Sequence, residues 1–263
     1  MKQLKHTSIT ALSILGFYIF FPLSAFSHGD GENRVVIERE TEAPIQSGEV
    51  DLAFELVDLV QKKGLKDVDL ALTHEKKLHF FIFDPALIEF QHVHPEFINS
   101  KWHVRLQLPR NGDYWVYVQG RILDDELYEF TTSTRLKIAG GLAANPFPPT
   151  LSEMRFGNDG LSVVAISDEK IVAGSNTMLI ATFSRSDGSK PEITPFLGAL
   201  AHVIATPVDG DSLEHIHPMG MGLPDQVMLH VVFKEPGMYR TWVQFLDAGV
   251  LKTIPLTFEV KKK

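Results

Sequence analysis

A doubled histidine pattern constrains this chain more than any other feature. His79 is followed 13 residues later by His92-Val93-His94-Pro95, and His202 is followed at the same spacing by His215-Ile216-His217-Pro218. Each copy then reaches a further histidine, His103 or His230. After it, Gly112-Asp113-Tyr114-Trp115-Val116-Tyr117-Val118-Gln119 aligns with Gly237-Met238-Tyr239-Arg240-Thr241-Trp242-Val243-Gln244. Four histidines in register, twice over, read as one domain used twice. The seam is the Gly/Pro-rich linker 139–149, and its prolines predict a semi-rigid spacer. Repeat one is expected at 35–138 and repeat two at 150–263.

Each repeat reads as all-β. Short runs rich in Val, Ile, Phe, Thr and Tyr recur between turn signals such as Asn111-Gly112, Asp187-Gly188 and Asp209-Gly210. Strands are predicted at 50–59, 78–83, 90–94, 102–108, 114–120 and 128–137. In the second copy they fall at 162–166, 176–184, 202–206, 213–217, 227–233, 238–245 and 250–260. No stretch within the repeats keeps a helical period. Six or seven strands per repeat predict two tandem antiparallel β-sandwiches, immunoglobulin-like or cupredoxin-like.

The chain has no cysteine, which excludes disulfides, thiolate nucleophiles, iron–sulfur clusters and blue copper. Its formal charge of -8 argues against a nucleic-acid partner. Residues 1–27 read as a secretory signal peptide. Lys2 and Lys5 precede the apolar run 9–21, and Ala25-Phe26-Ser27 is a small-x-small cleavage site. That run is too short for a stable membrane span. Cleavage there would leave His28 at the head of an acidic arm, 28–34, and the expected compartment is periplasmic or secreted.

Strand alternation orients several histidines. In 102–108 the apolar phase is Trp102, Val104, Leu106 and Leu108, so His103 lies on the other face. His230 is likewise out of phase with Val227, Leu229 and Val231. The paired histidines of each HxHP share a face ~7 Å apart at Cα, within reach of one metal ion. His79 and His202 sit in continuous apolar runs, where alternation does not assign a face. The expected metal ligands are His79, His92, His94 and His103 in repeat one, and His202, His215, His217 and His230 in repeat two. His28, His74, Met219 and Met221 are secondary candidates. The equal spacing predicts two equivalent sites, one per domain. The alternatives are a hydrogen-bonded histidine cluster that braces loops and a pH-sensitive interface.

Phe196-Leu197-Gly198-Ala199-Leu200-Ala201-His202, followed by His215-Ile216-His217-Pro218, resembles a family of exported bacterial β-sandwich proteins with an F/Y-L-G-A-x-x-H and H-x-H-P pattern. His74-Glu75-Lys76-Lys77-Leu78-His79 with Phe90-Gln91-His92-Val93-His94-Pro95-Glu96 resembles the companion form, which here lacks the L-G-A element. The resemblance covers roughly 49–260. It implies an exported domain pair associated with copper or heavy-metal handling, and it implies no reaction.

Imidazole suits copper and zinc alike. Copper is favoured by Met219-Gly220-Met221-Gly222, by the affinity order that peaks at Cu(II), and by a free His28 amine and ring that could chelate together. The expected function is a periplasmic copper carrier or buffer in copper homeostasis or resistance. Its expected partner is an envelope copper transporter or metalloprotein, with no catalytic residues. The alternatives are a metalloenzyme, copper-oxidative or zinc-hydrolytic, with Glu96 or Glu214 as base, and a structural or adhesive sandwich.

Overall fold

The computed structural model describes residues 34–263 except 125, 147–150, 168–169, 217, 220–222 and 224. The signal peptide 1–27, His28 with most of its arm, the end of the linker, His217 and Met221 therefore lie outside the described residues.

Repeat one contains β1 (Val35–Glu38), β2 (Ile45–Gln46), β3 (Gly48–Asp58), β4 (Lys63–Gly64) and β5 (Leu78–Phe83). It continues with β6 (Phe90–Val93), β7 (Glu96–Ile98), β8 (Lys101–Leu108), β9 (Gly112–Arg121) and β10 (Glu129–Ala139). Repeat two contains β11 (Phe156–Asn158), β12 (Ser162–Ile166), β13 (Thr177–Arg185), β14 (Ile193–Thr194) and β15 (His202–Pro207). β16 (Glu214–Ile216), β17 (Gln226–Val231), β18 (Gly237–Asp247) and β19 (Val250–Val260) complete it. The predicted strands are present, and the short edge strands are additions.

Each repeat is a two-sheet sandwich. One sheet of repeat one runs β1-β3-β8-β7 and the other β2-β10-β9-β5-β6. Repeat two matches them with β11-β12-β13-β17 and with a sheet in which β18 joins β19 to β15, and β15 joins β16. Alternation places the cores. In β3, Leu52, Phe54 and Leu56 are buried while Glu49, Asp51 and Glu55 are exposed. Leu78, Phe80 and Ile82 of β5 meet Trp102, Val104 and Leu106 of β8 in the first core. Val203 and Ala205 of β15 meet Val227 and Leu229 of β17 in the second.

The continuous burial of β5 has a second cause. Phe81 and Phe83 point away from their own core and pack with Tyr117 against Ile204, Leu213 and Trp242 of repeat two. Phe90 stacks on Trp242 with ring centroids 4.3 Å apart, and Tyr117 Oη donates to the Gly210 carbonyl at 2.5 Å. Gly210 has φ +77°, and a Cβ there would stand 2.2 Å from the Trp115 ring, so only glycine fits. The outer faces of the two corresponding sheets thus meet in an apolar contact between repeats. This is why β5 and β15 read as continuous apolar runs, buried on both faces. Among the described residues no helix is long and apolar enough to cross a membrane.

Candidate metal centre

The interface carries the histidines at its edge. His79 on β5 pairs across the ladder with Gln119 on β9, and His202 on β15 pairs with Gln244 on β18. His92 on β6 and His215 on β16 lie opposite Phe81 and Ile204. The side chains then form two matching relays. His79 Nε2 lies 3.0 Å from the Thr73 carbonyl, and His202 Nε2 lies 2.9 Å from the Phe196 carbonyl. His79 Nδ1 is 3.1 Å from His92 Nε2, and His202 Nδ1 is 3.2 Å from His215 Nε2. The last link crosses between repeats: His92 Nδ1 meets Gln244 Oε1 at 2.7 Å, and His215 Nδ1 meets Gln119 Oε1 at 3.0 Å.

These partners set the protons. A carbonyl only accepts, so His79 donates from Nε2 and keeps a lone pair at Nδ1. Gln244 Nε2 donates to Thr253 Oγ1 at 3.0 Å, which leaves its Oε1 to accept from His92 Nδ1–H. His92 Nε2 then also carries a lone pair. With the Gln244 amide in this orientation, two neutral imidazoles would face each other, lone pair to lone pair, at 3.1 Å. Nitrogens held ~2.0–2.1 Å from a tetrahedral ion stand about 3.3 Å apart, so this spacing suits a shared cation. The second relay repeats the arrangement at 3.2 Å, with Gln119 Nε2 donating to Thr131 Oγ1. Turning both glutamine amides over would instead close each relay with an N–H between the rings and no cation.

His94 completes the first set. Its Nε2 is buried and has no hydrogen-bond partner. One ligand atom from each of His79, His92 and His94 falls within 4.8 Å of the others. Their ring centroids are 4.8 to 5.3 Å apart. Burial keeps the set neutral. It pushes the His79 imidazole down to about 4, against the opposing pull of the Thr73 carbonyl, and the His94 imidazole to about 3. His92 is held well below its ordinary value, and His202 and His74 are also lowered, chiefly by burial.

The two sets are contiguous. His79 and His215 have ring centroids 5.2 Å apart, and His92 and His215 5.6 Å apart. His74 joins both, at 6.2 Å from His79, 6.0 Å from His202 and 6.4 Å from His215. The histidines of the two repeats thus gather into one cluster between domains.

Two expected ligands are not brought to it. His103 on β8 and His230 on β17 belong to the far sheets, where His103 Nδ1 meets Asp51 Oδ1 at 3.2 Å and His230 Nε2 meets Asn176 Oδ1 at 3.1 Å. Their out-of-phase position was correctly legible, but the face it put them on is the outer face of each sandwich. Met219 N bonds the Met228 carbonyl at 2.7 Å, which runs its segment along β17. Glu96 is exposed across from His103. Glu214 alternates with His215 on β16, and burial pushes its carboxyl up to about 7. The functional side chains missed in the sequence are Gln119 and Gln244. Their signal was present, since they end the two aligned segments in register.

A model of a domain of unknown function, DUF8832, matches residues 157–262. No protein with a curated description matches the chain. Among solved structures, a chimeric titin Z1Z2-Z1Z2 tandem is 10% identical with TM-score 0.21, covering 88% of this chain and 96% of its own. Fibronectin(III)-like modules of Clostridium thermocellum CbhA are 12% identical with TM-score 0.21, covering 87% and 94%. Domains 4 and 5 of the S-layer protein SbsC are 12% identical with TM-score 0.23, covering 86% and 96%. At these scores the likenesses carry no argument, and the sandwich class rests on the sheets described above.

Proposed function

We propose that this chain is an exported metal-binding protein, a copper carrier or buffer working in the periplasm or outside the cell. The observation that carries the reading is the convergence of one ring nitrogen from each of His79, His92 and His94 within 4.8 Å, with Nε2 of His94 buried and unpartnered. A loop brace needs every ring nitrogen bonded, whereas a ligand set keeps lone pairs converging on one point. The donor set is imidazole without thiolate or carboxylate. Copper heads the affinity order for such nitrogen sites, and zinc is the competing ion. An envelope copper transporter or metalloprotein is the partner this role implies.

The hydrolytic reading is weaker because neither proposed base serves the cluster. Glu96 lies on the far sheet with His103, and Glu214 points to the strand face opposite His215. Metal analysis of protein purified from its native envelope tests the proposal. Stoichiometric copper is expected. Stoichiometric zinc would replace copper handling with zinc handling, and metal-free protein that takes up neither ion on titration would return the cluster to a structural brace.

A further inference from the structure

A charged pair borders the histidine cluster in repeat one and has no counterpart in repeat two. Strand alternation extends the face of His79 and Gln119 by one step: Arg121 follows Gln119 on β9, and Glu129 stands opposite Arg121 on β10. Glu129 is two residues from Thr131, whose hydroxyl takes the Gln119 amide. The Arg121 guanidinium pairs with the Glu129 carboxylate, and the two side chains are 31% and 22% exposed. In repeat two Gln244 takes the place of Gln119, and the next pair along the ladder is Leu246 opposite Leu251. Strand pairing is thus served by leucines as well as by an ion pair, so the ladder itself does not require the charges.

The pair stands between solvent and the ligands. His74, His79, Gln119, His215 and Glu129 line a cavity of about 10 Å³, room for one water-sized sphere. Glu129 and Arg121 also line an open surface depression of about 460 Å³, with Glu126, Leu127 and Tyr128. Glu129 therefore belongs to both spaces. Among the described residues lining the inner one, it is the only acidic or basic group other than histidine. Both charges are felt at His74, whose imidazole is lowered first by burial and then by Arg121, while Glu129 pulls it up. The His74 ring in turn lies 6.2 Å from that of His79. A cation entering a cluster of neutral imidazoles sheds water before it gains ligands. A carboxylate at the mouth offsets part of that loss and raises the local cation concentration.

We propose that the opening at Glu129 is the entry route to the His79–His92–His94 centre, with Glu129 passing the cation inward and Arg121 holding the carboxylate across the mouth. This rests on the metal-binding reading above. The test is stopped-flow uptake of Cu(II) by the full metal-free chain, followed by quenching of tryptophan fluorescence. Release to EDTA and equilibrium competition with a chromophoric chelator, for Cu(II) and Zn(II), complete it. Glu129→Gln should slow uptake and release alike, by roughly tenfold, and leave equilibrium affinity unchanged. Arg121→Leu with Glu129→Leu, which installs the pair found in repeat two, should do the same. Added salt should slow uptake by the wild type more than by either variant. Unchanged rates in both variants would overturn the route. Weaker equilibrium binding with uptake unchanged would also overturn it, because that is the mark of a ligand or of a structural support. A wild type that takes up neither ion would defeat the metal-binding reading and the route with it.

Discussion

At the scale of single residues, the glutamines make each relay depend on the other repeat. Gln244 accepts from His92, and Gln119 accepts from His215. Groups that orient metal-bound histidines typically change affinity by about 10- to 100-fold when removed. Gln244→Leu should therefore weaken binding at the His79–His92–His94 set by that order, although no ligand in that set is altered. It should also cost about 1–3 kcal/mol in denaturant titration of the metal-free protein, because His92 Nδ1–H loses its buried acceptor. Burial gives a second expectation for the metal-free chain. His79 and His94 titrate near 4 and 3 when folded, and the unfolded chain returns both towards 6.5. Between those values the unfolded state binds more protons. The stability these groups contribute is complete above about pH 6.5 and is lost as pH falls through about 4. Urea midpoints measured from pH 7.5 to 4.5 should fall accordingly, and a midpoint that stays level would contradict neutral burial.

At the scale of strands, what alternation could and could not reveal is plain. The pattern of β8 put His103 opposite Trp102, Val104 and Leu106, and that is where it lies. Alternation separates core from non-core, but a non-core face can be solvent, a site or another domain. His103 and His230 met solvent-side partners, whereas the rings of His79 and His202 came up against His215 and His92 of the other repeat. The apolar runs of β5 and β15 signalled burial on both faces, and only the packed pair of sheets shows what covers the second one. The tandem repeat, the strand positions and the grouping of His79, His92 and His94 were legible because they depend on local spacing. The glutamine exchange depends on how two copies dock, which no local pattern encodes. His103→Ala with His230→Ala should leave metal stoichiometry and affinity unchanged, and loss of an ion in that double variant would return the far sheets to the site.

At the scale of the whole molecule, an apolar interface holds the two halves of the histidine cluster together. Trp242 is buried against Phe83 and Phe90 of the other repeat. Trp242→Ala should cost about 3–5 kcal/mol. The loss should appear as weaker metal binding in both sets and as separation of one thermal transition into two, read by calorimetry. An unchanged single transition would mean that the repeats are coupled elsewhere. The central claim is that buried imidazoles from both repeats coordinate the metal. X-ray absorption spectroscopy of the copper-loaded full chain tests it most directly. The account predicts a shell of nitrogen with the multiple-scattering signature of at least three imidazoles per ion, diminished by His92→Ala and by His215→Ala alike. A shell dominated by oxygen, or one that both substitutions leave intact, would contradict it.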